Sequence, residues 1–283
     1  MDGAWFAEAD PQDVPAAAEA LRTTRCETPT DWPATAVEDG VVTDRESYYD
    51  ALHAASLAAA RAAVAEHERA DDRRLVEAVR ALDDTERAAN ELAERVAEWA
   101  GDAATDGDAE AVVGAVADRE PADELDRRLV DFAERTAGLY AERDELRATV
   151  ERVAPTVAPN LAALAGPVLA ARLIALAGDL ESLARMPAGT VQVLGAEDAL
   201  FAHLRGHAPS PKHGVIYTHE YVRGTAPEER GSAARALAGK LAIAARIDHY
   251  AGDRRPDLER DLDERIARIR ERTGTTNREG DDD

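Results

Sequence analysis

The 283-residue sequence predicts an all-α fold: a long antiparallel coiled-coil hairpin and a C-terminal helical domain, preceded by a short N-terminal region. Three observations carry that prediction. Hydrophobic residues make up 45% of the chain and aromatics only 4%, and alanine supplies much of the apolar share, so helices with modest burial per residue are favoured over a sheet. Apolar residues then recur every seven positions in two segments of similar length. Finally, residues 154–185 are nearly all apolar but punctuated by Pro159, Gly166-Pro167 and Gly178, as short buried helices are.

Taken in order, residues 1–42 read as irregular. Pro11, Pro15, Pro29 and Pro33 interrupt them, and Trp5, Phe6 and Trp32 are their few large apolar anchors. Thr43 with Glu46 three residues later forms a capping box that opens a helix from Asp44 to about Ala70, so 1–70 is a reduced N-terminal region with one helix. Over 71–154 the heptads set in. Leu75, Leu82, Ala89 and Val96 are seven apart, and Ala78, Thr85, Leu92 and Trp99 follow each by three. After a loop of about twenty residues with a polar Gly101–Asp108 turn, the pattern resumes at Leu125, Leu129, Phe132, Leu139, Leu146, Val150 and Val153, with breaks at Thr136 and Arg143. Folding back would bury Leu82 and Leu92 near Leu139 and Phe132, and the unsatisfied part of the stripe predicts a homodimer through the coiled coil. From Pro155 the second domain begins and runs to 273. Within it 189–194 (GTVQVL) reads as extended, a Pro/His loop (HAPSPKHGVIY) leads to a helix over 227–250, and a last helix over 256–272 starts acidic and ends in arginines, as the helix dipole prefers. The tail 274–283 reads as disordered.

Charge is the second signal. With 34 Lys plus Arg against 57 Asp plus Glu, the net charge is −23, the pI is near 4.7, and only Lys212 and Lys240 are lysines. Hydrated carboxylates with almost no lysine suit a protein working in molar salt, where a Debye length of about 3 Å cancels long-range repulsion. A halophilic cytoplasm is the expected setting. The single Cys26 forms no internal disulfide, no signal peptide opens the chain, and no apolar stretch reaches membrane-spanning length, so no membrane partner is expected.

Residues 186–250 resist this acidity. Seven cations (Arg205, Lys212, Arg223, Arg230, Arg235, Lys240, Arg246) face six anions, a sum of +1 that leaves −24 for the rest, and five of the seven histidines lie here. Such a region is expected to touch something anionic, although on charge alone a solvated helix face and loop tip serve as well. Catalytic constellations are lacking: no P-loop, GxGxxG or GxSxG occurs, and the spacing of His213, His219 and Glu220 fits no common zinc pattern. No enzyme activity, cofactor or metal is expected.

Three segments carry a resemblance. MPAGTVQVLGAEDALFAHLR (186–205), PKHGVIY (211–217) and RALAGKLAIAARID (235–248) resemble the Nop domain of the archaeal scaffold proteins of box C/D guide-RNA ribonucleoproteins, relatives of the eukaryotic nucleolar and spliceosomal Nop proteins. The likeness continues backward through 153–181 and into 73–99. It implies a non-enzymatic, RNA-binding scaffold. Such a protein self-associates through its coiled coil and holds the fibrillarin methyltransferase through its N-terminal domain. Its Nop domain grips a kink-turn guide RNA together with a small ribosomal-type protein, so that the particle directs 2′-O-methylation of rRNA or tRNA. The RNA-contact positions it implies are Gly195, Ala196, Glu197, Arg205, Lys212, His213, Arg223, Arg230, Arg235 and Lys240; Leu75, Leu82, Leu92, Phe132, Leu139 and Leu146 form the coiled-coil surface. Gly195 would open a helix N-terminus as a phosphate seat. Lys212 and His213 would meet phosphate and stack on an unpaired base. Arg235 and Lys240, five apart on a helix, are expected on different faces. Two departures stand out: Asp198 occupies a position where the family commonly has lysine, and the family's N-terminal α/β module has no counterpart in alternating strands. A reduced module still docks the enzyme, or that role has moved. The rival reading is an acidic coiled-coil adaptor that binds only proteins.

Overall fold

The computed structural model describes residues 4–26, 30–68, 71–101 and 107–279, and the chain divides into two compact units, 1–70 and 71–283. All regular structure among the described residues is helical.

The described residues of the first unit form four helices: α1 (Trp5–Glu8), α2 (Val14–Thr23), α3 (Trp32–Glu38) and α4 (Arg45–Glu68). The region expected to be irregular thus contains three of them. The prolines are start signals rather than breaks: Pro15 and Pro33 lie in first turns, where a missing N–H costs no helical hydrogen bond, behind Asp13 and Asp31, which accept the N–H groups of Ala16 and Ala34 at 3.3 Å. The cap of α4 is likewise Asp44 and not Thr43. Its carboxylate accepts the Ser47 N–H at 2.7 Å, and that bond holds its pKa below the usual aspartate value. The unit's core is aromatic. Trp5, Phe6, Trp32 and Tyr48 meet at centroid distances of 5.8–6.0 Å, and the Trp5 indole N–H donates to the Tyr48 hydroxyl at 3.3 Å.

The second unit opens with α5 (Asp71–Ala100), α6 (Ala109–Ala117) and α7 (Glu124–Val157). α5 and α7 run antiparallel. Leu75, Val79 and Leu82 share a core with Val150 and Ala154, while Ala89 and Val96 share another with Leu129, Ala133 and Tyr140, and the Tyr140 hydroxyl donates to Asn90 Oδ1 at 3.1 Å. The first heptad column, Leu75, Leu82, Ala89 and Val96, is buried throughout. The second is displaced by one residue: Val79 and Ala93 are buried in place of Ala78 and Leu92, and Trp99 is 48% exposed. At Ala93 the partner is α6, which lies within the expected loop and packs Val113 and Val116 onto both long helices, whereas Val79 joins the core at the hairpin base. Thr136, read as a break, is fully buried in α7, its hydroxyl donating to the Phe132 carbonyl; Arg143, the other break, reaches Glu110 of α6 at 2.9 Å. Phe132, Leu139 and Leu146 are half-buried. α7 continues two residues beyond Pro155, which sits in its last turn.

Shorter elements then pack around the base of this hairpin: α8 (Pro159–Ala165), α9 (Pro167–Ala177), α10 (Leu180–Arg185), α11 (Ala188–Val193), α12 (Glu197–Leu204), a 3-10 turn (Val215–Thr218), α13 (Glu220–Arg223), α14 (Arg230–Tyr250) and α15 (Asp257–Glu279). Residues 189–194, expected to be extended, are helical in α11 up to Val193, because Pro187 in extended conformation serves as its N-cap and Val191 turns into the core. α15 runs on into the stretch read as a tail; 280–283 lie outside the described residues. The hairpin base is tied in by polar contacts: Arg172 Nε donates to Asp83 at 2.9 Å, Arg73 to the Gly178 carbonyl at 2.9 Å, and Asp72 accepts the Leu180 N–H at 3.0 Å. No single described helix is long and apolar enough to cross a membrane. The apolar pair α8–α9 is bent by 116° and lines the core.

Candidate nucleic-acid interface

The site begins with a backbone crossing. The Gly214 N–H donates to the Gln192 carbonyl at 2.9 Å, the Val215 N–H to the Leu194 carbonyl at 2.8 Å, and the Gln192 side chain to the Lys212 carbonyl at 2.7 Å. These bonds pin the loop over residues 206–214 to the end of α11. A Cβ on Gly214 would lie 2.0 Å from the Leu194 carbonyl oxygen, so no other residue permits the crossing.

The crossing puts a row of side chains on one surface. Lys212 is exposed, its stem lying over the first turn of α14, where a Cβ on Gly231 would touch Lys212 Cδ at 3.8 Å. The His213 ring stacks on Tyr217, with centroids 4.6 Å apart and planes 24° apart. The Arg230 guanidinium sits 5.6 Å from the Tyr217 centroid and donates through Nε to the Thr225 carbonyl at 3.0 Å and through a terminal nitrogen to that of Arg223. Arg223 is exposed beside it. Burial, and then the charges of Arg230 and Lys212, push the His213 pKa below its usual value against the opposing pull of a backbone hydrogen bond. Its ring is therefore neutral near pH 7 and suited to stacking. Behind this face His219 uses both ring nitrogens, Nε2 on the Leu164 carbonyl at 3.1 Å and Nδ1 accepting the Tyr221 N–H at 3.1 Å, which leaves neither for a metal. Among the described residues no cluster of three or more His, Cys, Asp or Glu has a metal-binding arrangement.

The other expected contacts distribute differently. Gly195 has a positive φ of 82°, but its N–H donates to the Glu197 carboxylate at 2.9 Å and the Ala196 N–H to the Val193 carbonyl at 2.9 Å. The phosphate seat expected there is filled by the chain's own carboxylate. Arg205 stands exposed at the C-cap of α12, away from any ion pair among the described residues. α12 itself buries nothing; Phe201 and Leu204 are 55% and 71% exposed. Arg235 and Lys240, expected on different faces, line one cleft between α14 and α15. α15 crosses close enough for Asp261 to hold the Lys240 ammonium at 2.9 Å. Arg246 is structural: it donates to the Ala184 and Met186 carbonyls at 3.0 Å and closes the end of α10. Tyr217 is missed by sequence reasoning, since a tyrosine after an apolar pair reads as core. Arg265, Arg268 and Arg272 are missed too, because the helix dipole accounts for them, although their i, i+3, i+7 spacing marks a helix face.

Among the described residues the chain is helical, with an exposed, arginine-rich face on its C-terminal half. The family profile described as "Nop: snoRNA binding domain, fibrillarin" matches residues 65–271, and the chain belongs to this family. It is 54% identical over 143 residues, half of its length, to an uncharacterised NOP5 family protein of Methanocaldococcus jannaschii, and 42% identical over 123 residues, 44% of its length, to nucleolar protein 56 of Schizosaccharomyces pombe. The matched stretches span 34% and 25% of those two proteins. A crystal structure of a fibrillarin/Nop5p complex contains a chain that superposes on 90% of this one and 92% of itself, with a TM-score of 0.54 and 28% identity.

Proposed function

We propose that the protein is a non-catalytic scaffold of a box C/D ribonucleoprotein, holding a kink-turn guide RNA with its small ribosomal-type binding protein and recruiting the fibrillarin methyltransferase for guide-directed 2′-O-methylation. The observation that carries this reading is the joined set of Lys212, His213, Tyr217, Arg223 and Arg230, an exposed cationic and planar surface in a protein of net charge −23. Phosphate binding accounts for the two solvent-facing cations, and a neutral stacked ring accounts for an unpaired base. The apolar face of α12, with Phe201 and Leu204 in solvent, is the contact for the small protein. Fibrillarin docks on the first unit, whose helices replace the expected α/β module; a likeness to a chain of a fibrillarin complex over nine-tenths of the sequence supports this role. The hairpin mediates self-association, and the acidic remainder suits a salt-rich cytoplasm.

The test is a titration of kink-turn RNA, with and without the small binding protein, in molar KCl. Wild-type protein should bind only the RNA–protein complex, and Lys212→Glu with Arg223→Glu should abolish ternary assembly with unchanged helicity. Equal failure of the wild type in both titrations supports the protein-only adaptor instead.

A further inference from the structure

The cleft between α14 and α15, about 650 Å³ in volume, is strongly cationic. Its walls carry Arg235 and Lys240 from α14 and Arg265, Arg268 and Arg272 from α15, against only Asp261 and Glu264, a local charge of +3. Many arginines on the long helices pair with neighbouring carboxylates, as in Arg80–Glu77 and Arg260–Asp257. Arg235 and Arg265 do not: neither has a carboxylate within 4.0 Å among the described residues. Arg268 bonds to the Glu264 backbone carbonyl through Nε, which leaves its fork turned to solvent. Of the two acids, Asp261 is already neutralised by Lys240. Keeping Arg235, Arg265 and Arg268 together without carboxylate partners raises the local energy unless an anion completes the cluster.

We propose that this cleft is a second phosphodiester-binding track, which takes the stem of the RNA as it leaves the kink-turn face. The inference rests on the scaffold reading above and adds to it a site with its own residues. Continuity supports RNA over an acidic peptide. Lys212 lies over Gly231 at the start of α14, and Arg235, which lines the cleft, is one turn further along the same helix. Along α15, Arg265, Arg268 and Arg272 share a face and span about 10 Å of helix axis, a length of the order of three phosphates on one strand. Arginine forks grip phosphate oxygens in pairs, and Gly239 on the cleft wall, where an added Cβ would meet nothing within 4 Å, leaves room for the ribose edge.

The experiment uses the full chain with the small kink-turn protein and two RNAs, one ending at the kink-turn and one carrying an extended stem. Arg265→Glu with Arg268→Glu should weaken binding of the long-stem complex about tenfold or more, make its log–log salt dependence shallower by about 2, and leave the short RNA unaffected. The neutral pair Arg265→Gln with Arg268→Gln should show a smaller loss in the same direction. Unchanged affinity for the long stem overturns the second track while leaving the kink-turn face intact. Equal loss on both RNAs overturns it too, since the cleft would not then be a separate contact. Failure of the wild type to bind either RNA removes the scaffold reading and the track together.

Discussion

Asp248, near the end of α14, caps the start of α8 eighty-eight residues earlier through Asn160, accepting its backbone N–H at 3.0 Å and its side-chain amide at 2.6 Å. The same carboxylate takes the Leu161 N–H at 2.8 Å, and Asn160 Oδ1 accepts the Arg255 N–H at 2.6 Å. One buried asparagine therefore fixes α8 to the junction of α14 and α15, and with it the long helix that carries Arg235 and Lys240.

Removing the carboxylate leaves the backbone N–H groups of Asn160 and Leu161 without a partner in a buried site, while the Asn160 amide keeps the Asp253 carbonyl at 2.8 Å. Asp248→Ala should lower the unfolding free energy by about 3 kcal/mol, whereas Asn160→Ala, which keeps both backbone-to-carboxylate bonds, should cost about half as much. Denaturant unfolding of both variants measures the order. If Asn160→Ala is the more damaging, the cap is not the main constraint.

Acidity should weaken the same domain through His219. Burial depresses the ring's pKa most, Arg270 adds to that, and the hydrogen bond to the Leu164 carbonyl and the charge of Glu220 oppose it. A folded-state pKa below 6.5 means that the unfolded chain binds the proton more readily. The stabilising contribution is then complete above about pH 6.5 and declines as pH falls toward the folded-state value. Protonation also removes the acceptor that Nδ1 offers to the Tyr221 N–H. Melting curves from about pH 7.5 to 5 should fall more steeply for the wild type than for His219→Gln. Parallel curves would assign the acid sensitivity to other groups.

Gly214 offers a local test of the crossing. A methyl there meets the Leu194 oxygen at 2.0 Å and the Val193 carbonyl carbon at 2.7 Å, both backbone atoms with nowhere to move. Gly214→Ala should cost about 2 kcal/mol and free the loop over 206–214. Limited proteolysis should cut within that loop, and affinity for the kink-turn complex should fall as far as it does for Lys212→Glu with Arg223→Glu. A protected loop would mean that the chain accommodates the methyl by a route the hydrogen bonds do not indicate.

How much of this is legible in the sequence depends on how local each signal is. The first heptad column is readable because its seven-residue spacing keeps Leu75, Leu82, Ala89 and Val96 on one stripe whatever packs against it. Its companion column is not: near Ala93, α6 inserts from a segment whose helix is held by a single cap, Asp108 accepting the Ala111 N–H at 2.9 Å, and near Val79 the short helices at the hairpin base supply the core. Pro15 and Pro33 mislead because a proline near a helix start and a proline in a loop look alike until the preceding aspartate is seen to cap. At the candidate site, the charge count together with the family resemblance picks out Lys212 and His213. Their meeting with Tyr217 and Arg230 is hidden because it depends on the Gly214 crossing, which brings α11 and the loop together. Arg235 and Lys240 are separated by helix arithmetic that takes one helix at a time, whereas α15 supplies the second wall of their cleft.

The hairpin's outer surface decides the question of self-association. Leu139 is half-buried against the cluster formed by α5, α6 and α7, so Leu139→Glu should destabilise the hairpin itself and report little about a second copy. Leu125, near the start of α7, is 71% exposed, and Trp99, whose ring lies 6.4 Å from Phe132, is 48% exposed; together they leave apolar area at the hairpin tip that the described residues do not cover. If two copies join there, Leu125→Glu should convert a dimer to a monomer in sedimentation at unchanged helicity and melting temperature, because that side chain is mostly in solvent, whereas Trp99→Glu should also lower the melting temperature through its lost ring contact with Phe132. A variant that stays dimeric would move the interface to the sides of the long helices; a wild type that sediments as a monomer would reserve the tip for a different protein.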